Sequence, residues 1–194
     1  MVPQKVIWYL RALLYKFFLG ELGSLSYIGK PLYFSGMRRI FIKKRVRIHP
    51  NARIAVVDVN SSIVFEENIS IAQNCHITSC GRLIIGADTV ISANVMVTNI
   101  DHDYRMIDKP VLEQPLLEKE TRIGKNCFLG YGAVIQAGTI LGKQCIVGSN
   151  AVVRGIFPDY SVIVGVPAKI VKRYNKKTKQ WDKTDENGEF LNEE

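Results

Sequence analysis

The sequence predicts an all-β chain, a parallel β-helix of six-residue repeats, with an N-terminal helical segment, one extruded loop and a short C-terminal helix. The period is the first observation behind this. From Ile123 the chain reads in sixes, IGKNCF, LGYGAV, IQAGTI, LGKQCI and VGSNAV. Every unit opens on Ile, Leu or Val, and four of the five continue with Gly. The fifth place is the second observation, because it is always small or β-branched: Cys127, Ala133, Thr139, Cys145 and Ala151. The third is that the same frame runs earlier, as IGADTV and ISANVM at 85–96, more loosely as FEENIS and IAQNCH at 65–76, with a plausible start in IHPNAR at 48–53. A period of six fits neither an α-helix nor an alternating strand. It fits a short strand followed by a corner, with the second-place Gly expected to supply the backbone angles of the corner. Three such units make a triangular turn of about 18 residues, and successive turns stack as parallel strands. Cys127 and Cys145 are 18 residues apart. They are therefore expected to lie one above the other as small core fillers.

These elements divide the chain into 1–45, a basic and helical segment; 46–166, the coil, interrupted at 99–120; and 167–194, a helix and polar tail. The opening MVPQKVIWYLRALLYKFFLG is broken by Lys5, Arg11 and Lys16. It holds no run of about 18 apolar residues for a membrane span and no small-residue cleavage site for a signal peptide. It reads as an amphipathic helix that packs on the domain or lies on a membrane surface. The interruption, NIDHDYRMIDKPVLEQPLLEKE, is charged and carries Pro110 and Pro115, which keep it out of a regular ladder. It must leave one coil and return to the next, and long loops of this kind are usually functional or disordered.

At 194 residues, 47% hydrophobic and 23% charged, the composition is globular. The net charge is +8, and basic residues gather in two clusters, Arg38 to Arg47 and Lys169 to Lys177, before an acidic tail, DENGEFLNEE. Such clusters point to anionic partners. No nucleic-acid motif accompanies them, and no aromatics interleave the basic runs, so nucleic acid is not an expected partner. The four cysteines form no CxxC pair, which leaves no zinc or redox signature. Reduced thiols and a cytoplasmic location are expected. No metal site is expected.

The repeat, the run ANVMVTNIDHDY and the closing VGSNAVVRGIFPDYSVIVGVPAKIVKRY together resemble the left-handed parallel β-helix acyltransferases over residues 46–175. The likeness is greatest to the galactoside, maltose and lipopolysaccharide O-acetyltransferase branch. The basic, aromatic N-terminus and the ending AKIVKRYNKKTKQW lean toward the lipopolysaccharide and O-antigen members. This resemblance implies left-handed crossovers, against the general right-handed preference. It also implies a homotrimer, acetyl-CoA as co-substrate and a carbohydrate acceptor, with an enzyme in the cytoplasm or at the inner membrane face. The extruded loop would form a wall of a site shared with a neighbouring subunit.

His102, eight residues after Asn94, falls where the family has its general base. Removing a hydroxyl proton as the oxygen attacks a thioester suits an imidazole near neutral pH. Asp101, Asp103 or a backbone carbonyl is expected to orient the ring, with Tyr104, Asn74 and His76 as acceptor contacts. By the resemblance, Gly130, Tyr131, Ser149, Arg154, Gly155, Lys169 and Lys172 face the donor, the lysines as point charges for phosphate. Tyr131 and Phe128 replace a serine and a tryptophan of the galactoside branch, and Ala72 replaces its acceptor-binding asparagine. Acceptor preference therefore does not transfer. His49, at a turn beside Pro50, reads as structural. Cys75, Cys127 and Cys145 fall at inward positions, which favours direct transfer over an acyl-enzyme. Two alternatives remain: the same fold acting on an amino sugar, a free galactoside or an antibiotic, or a non-catalytic β-helix scaffold.

Overall fold

The structure, a computed structural model, describes residues 4–191; the first three residues of the opening stretch and the last three of the acidic tail lie outside them. The chain winds a left-handed parallel β-helix of triangular cross-section. Its first face stacks Glu21–Leu22, Ile40–Ile42, Ser62–Phe65, Arg82–Ile85, Thr121–Ile123, Ile140–Leu141 and Ile156–Phe157, all parallel. The second carries Tyr27–Ile28, Arg47–Ile48, Ser70–Ile71, Val90–Ile91, Phe128–Leu129, Ile146–Val147 and Ser161–Gly165. The third carries Tyr33–Ser35, Arg53–Val56, His76–Ser79, Met96–Thr98, Val134–Ile135 and Val152–Val153.

The apolar first places of the repeat form columns inside the coil. On the second face Ile28, Ile48, Ile71, Ile91, Leu129 and Val147 are all buried, each contributing roughly 1.5–3 kcal/mol of apolar burial. The fifth places do more than fill space. Cys75 Sγ donates to the Ser92 carbonyl at 3.1 Å, Cys127 Sγ to Gly142 at 3.2 Å and Cys145 Sγ to Pro158 at 3.3 Å. Thr139 Oγ1 donates to Val153 at 2.9 Å. Cys75 and Cys127 thus satisfy carbonyls of a later coil for which no other partner is present among the described residues, whereas the Pro158 and Val153 carbonyls also accept from Ser161 Oγ and Gln136 N.

The corner itself is built differently from the expectation. Among the second-place glycines, Gly124 does not occupy the left-handed region; a Cβ there would stand 2.3 Å from the Gly142 carbonyl oxygen. Its role is close approach of backbone to backbone. The left-handed residue is the fourth of each unit: Asn68, Asn74, Asp88, Asn94, Asn126 and Asn150 all have φ between 56° and 62°. Asn and Asp tolerate this region better than other side chains because their short polar groups bond locally.

The coil starts earlier than residue 46. Glu21–Leu22 already pairs with Phe41–Ile42, and residues 21–45 form ladder although their sixes are irregular. The helical segment is confined to α1 (Gln4–Tyr15), which seats Trp8 and Ala12 on the first coil. Trp8 packs 5.6 Å from the Tyr27 ring and 5.5 Å from His49, which fits the structural role of that histidine.

At the other end the expected helix is not formed. Ala168–Asn175 runs antiparallel to Ser161–Gly165, and Gln180–Lys183 antiparallel to it in turn. Ala168 and Ile170 are buried while Lys169 is exposed, a period of two. The free edge of the second face needs a partner, and a meander supplies it where a helix would not; Tyr174 and Trp181 pair across it at 5.8 Å.

Gly124→Ala is expected to lower Tm by roughly 5 °C or more, through overpacking at the coil contact. Asn126→Gly, which keeps the left-handed residue, should move it by no more than about 2 °C. Melting followed by circular dichroism distinguishes them; equal losses would contradict this division of roles.

Candidate active site

The interruption leaves the coil after Met96–Thr98 and returns at Thr121–Ile123, and the ladder closes across it without slipping: Leu83 pairs with Thr121 and Ile85 with Ile123. Asn99, fully buried, is the latch. Its Oδ1 accepts from Cys80 N at 2.8 Å, its Nδ2 donates to Ser79 Oγ at 3.2 Å, and its carbonyl accepts from Lys119 N at 3.0 Å. Beyond it the loop is a two-stranded antiparallel hairpin, Ile100–His102 against Leu116–Glu118. Gly81, at φ 89°, makes room for the Glu118 carboxylate where any Cβ would collide.

The tip is fixed by its own polar groups. Gln114 is buried; its Nε2 donates to the Met106 and Lys109 carbonyls at 3.2 and 2.8 Å, and its Oε1 accepts from Met106 N at 3.0 Å. Arg105 forks onto Asp103 with contacts of 2.8 and 2.6 Å, which holds that carboxyl well below the usual range. Asp101 ties the hairpin to the coil: its Oδ2 accepts from Lys119 Nζ at 2.8 Å and from Arg154 at 3.1 Å. The Lys119 hydrogen bond, with Arg154 adding, depresses its pKa. A carboxyl depressed in this way stabilises the fold above its unfolded pKa and ceases to as pH falls through the folded one. The tie therefore holds at neutral pH and is lost below about pH 4.

His102 is exposed on the hairpin. Successive side chains of a strand point to opposite sides, so with Asp101 turned onto Arg154 of its own coil, the imidazole is turned away from it. Neither neighbouring carboxylate bonds the ring, contrary to expectation: Asp101 is engaged by Lys119 and Arg154, Asp103 by Arg105. Tyr104 stands in solvent.

The expected acceptor contacts Asn74 and His76 do come together. With Leu32, Asn51 and Arg53 they line a surface concavity of about 460 Å³ on the third face. Arg53 Nε donates to His76 Nε2 at 2.8 Å while its guanidinium stacks 4.7 Å from the Tyr33 ring. Partial burial first, and Arg53 second, push the His76 pKa down. No hydrogen bond links this concavity to the hairpin among the described residues.

The expected donor residues fall in two places. Gly130, Tyr131 and Ser149 share the corner between second and third faces, where a Cβ on Gly130 would stand 2.7 Å from Ser149 N. Asn94 Nδ2 donates to the Tyr131 hydroxyl, holding it across two coils. Lys169 pairs with Val164, next to that corner, and makes an exposed ion pair with Glu186 at 3.2 Å; Lys172 is exposed on the same strand. Arg154 and Gly155 lie instead at the corner after the third face, where Arg154 serves the hairpin. Sequence reasoning missed Asn99, Gln114 and Lys119. The one available signal was an amide and a lysine bracketing the interruption, at 99 and 119.

Two of the inward cysteines are unsuited to acyl chemistry. Burial pushes the Cys75 thiol up to about 11. The contact with Cys145, then burial, raises Cys127 further. Among the described residues no cluster of His, Cys, Asp or Glu is arranged to hold a metal, and no helix is long and apolar enough to cross a membrane.

The sequence profile of the bacterial transferase hexapeptide family (six repeats) matches residues 120–155, the coils directly after the hairpin. Those residues carry the repeat of that family. The repeat protein is 37% identical over 129 residues to WbbJ of Escherichia coli K12, named as a lipopolysaccharide biosynthesis O-acetyl transferase. It is 31% identical over 148 residues to Rv3034c of Mycobacterium tuberculosis, named as an acetyltransferase. These alignments take in 62% and 69% of the chain, and the chain spans 65% and 49% of the two relatives' lengths. Its fold is that of AntD, an N-acyltransferase from Bacillus cereus solved with dTDP and coenzyme A. The TM-score is 0.71 at 18% identity, over 86% of this chain and 90% of that one. It is also that of a galactoside acetyltransferase solved with coenzyme A, with a TM-score of 0.59 at 20% identity, over 100% of this chain and 82% of that one.

Two outcomes check this geometry. Alkylation of the folded repeat protein at pH 8 is expected at Cys80, the half-buried thiol, and at Cys75, Cys127 and Cys145 only after unfolding; peptide mapping that finds any of those three labelled early would refute the burial argument. Asp101→Asn should speed amide exchange across 100–118 while changing Tm by no more than about 2 °C, since the tie is partly exposed. Unchanged exchange would mean that the hairpin does not depend on this tie.

Proposed function

We propose that this chain is an acetyl-CoA-dependent O-acetyltransferase acting on a sugar hydroxyl of a bacterial surface polysaccharide, such as O-antigen, capsule or a lipid-linked precursor. It works in the cytoplasm as a homotrimer. The observation that carries the reading is His102, an exposed imidazole on a hairpin fixed to the coil at its root and along its length, with a tip held by its own polar groups. The likeness to WbbJ supports the substrate class.

In this reading His102 accepts the hydroxyl proton as the sugar oxygen attacks the thioester carbonyl. The new C–O bond forms as the C–S bond breaks, and the imidazolium returns its proton to the departing sulfur. The ring turns away from its own coil, so the donor groove it serves belongs to a neighbouring copy, which supports the trimer. Tyr131 and Ser149, on the corner leading to Lys169, offer a strip for the donor: an aromatic and a hydroxyl for the pantetheine arm, then a cation for phosphate. Lys169 exchanges its exposed partner Glu186 at little cost. Arg154 acts through Asp101, by holding the hairpin. The backbone N–H of Tyr131 is the assigned oxyanion donor, since that of Gly130 already donates to the Val147 carbonyl at 2.8 Å.

His102→Ala is expected to lower kcat for acetyl transfer to a lipid-linked oligosaccharide extract by roughly 10²–10⁴-fold while leaving the acetyl-CoA Kd unchanged by calorimetry. Full turnover in the variant would remove His102 from the chemistry. Absence of acetyl-CoA binding to wild type would favour a scaffold instead.

A further inference from the structure

Helix α1 has two apolar sides, and only one of them has a partner. Trp8, Ala12 and Tyr15 project to one side and pack on the first coil. At 100° per residue, Val6, Ile7, Leu10, Leu13 and Leu14 project to the opposite side, and all five are exposed, Leu14 by 64%; Phe17, in the turn that follows the helix, is exposed by 75%. Lys5 and Lys16 flank this arc on one edge; Arg11, bonded to the Ile28 carbonyl at 3.2 Å, flanks the other. An amphipathic helix docked on a protein ordinarily turns a polar face outward. This one does not.

The charge of the chain is placed to match. Residues 1–47 hold ten Lys and Arg against Glu21 alone, whereas residues 48–194 hold sixteen basic and seventeen acidic side chains. The net charge of +8 is therefore a property of the N-terminal end alone. Lys5, Lys16, Lys30, Arg38 and Arg45 form no ion pair among the described residues.

We infer that this end of the coil docks on an anionic lipid bilayer, with the outer side of α1 lying in the headgroup boundary and the basic residues of the first two coils reaching the lipid phosphates. An apolar arc alone would suit many partners. Edged by Lys5 and Lys16 and set at the basic end of the chain, it fits a surface that is apolar below and negative above. A second copy of this end fits it poorly, since it would bring together two surfaces of the same strong positive charge. Lys5 and Lys16 extend their charged tips outward while their stems stay with the apolar arc. The inference stands apart from the acetyl-transfer reading, because none of these residues belongs to the hairpin or the donor strip.

The test is co-sedimentation of the full chain with vesicles of phosphatidylglycerol and phosphatidylethanolamine, and with phosphatidylcholine vesicles. Binding is expected to the first and not to the second, and to fall as salt rises. Leu13→Glu with Phe17→Glu should weaken it by about tenfold or more, and Lys5→Gln with Lys16→Gln by roughly fivefold per residue. Melting should be unchanged in both, since these side chains point away from the coil, and His102→Ala should sediment as wild type. Absence of wild-type binding, or equal binding to both vesicle types, would overturn the inference. So would a drop in oligomer mass by light scattering in Leu13→Glu with Phe17→Glu, since a copy of this chain would then be the occupant.

Discussion

Backbone touching backbone is the constraint on which this molecule depends. A parallel coil closes only if each corner sits directly on the corner before it, and at Gly124 the room for a side chain is already filled by the Gly142 carbonyl. That contact fixes the spacing of the coils, and the spacing fixes the ladder hydrogen bonds on three faces at once. The remaining requirements follow. A corner this tight needs a left-handed residue, met by Asn126 and Asn150. It also leaves the Gly142 carbonyl facing inward, met by Cys127. The unit IGKNCF thus carries one residue for approach, one for the turn and one for the inward acceptor.

A scaffold so regular accepts an insertion only where the register can resume. The hairpin leaves and re-enters between coils whose first-face strands pair directly, Ile84 with Arg122, so the coil is not strained by its presence. The cost falls on the insertion, which buries little of its apolar surface: Tyr104, Met106, Ile107, Val111, Leu112 and Leu116 are all exposed. It is held by polar groups instead: Asn99 at the root, Asp101 with Lys119 and Arg154 along its length, Gln114 and the Asp103–Arg105 fork at the tip. A buried amide satisfied on three sides is worth more than an exposed ion pair. The tip is therefore shaped by Gln114, and the ion pairs set where the hairpin leans. The direction in which His102 faces is a consequence of that lean.

The period made the coil and the place of its interruption legible, because both depend on side-chain type at fixed offsets. The buried cysteines were legible for the same reason. The corner chemistry was read at the wrong place: glycine at the second position draws the eye, although the fourth place reads Asn68, Asn74, Asp88, Asn94 and Asn126, an equally regular signal. Residues 21–45 were missed because their sixes carry basic and aromatic residues at outward positions that mask the inward Ile28, Ile40 and Ile42. The C-terminal strands were mistaken for a helix because AKIVKRY satisfies a basic helix face as well as a strand. Only the open edge beside Ser161–Gly165 decides between them. Asp101 finds its partners as far away as Arg154, which no local pattern reveals.

The two ends of the coil bring these arguments together. An open solenoid exposes apolar columns and unpaired backbone at each end, and each must be covered. Here the covers differ in kind. The last coil is covered by strands, which pair its edge and place Lys169 beside the corner that carries Tyr131 and Ser149. The first coil is covered by a helix, whose hydrogen bonds are internal, so that only one of its sides is committed to the fold. A strand cover continues the sheet; a helix cover leaves a second side whose composition the coil does not dictate. That side of α1 is apolar and edged with cations although neither property is needed to close the coil, and a feature the fold does not require is where a function other than folding leaves its mark.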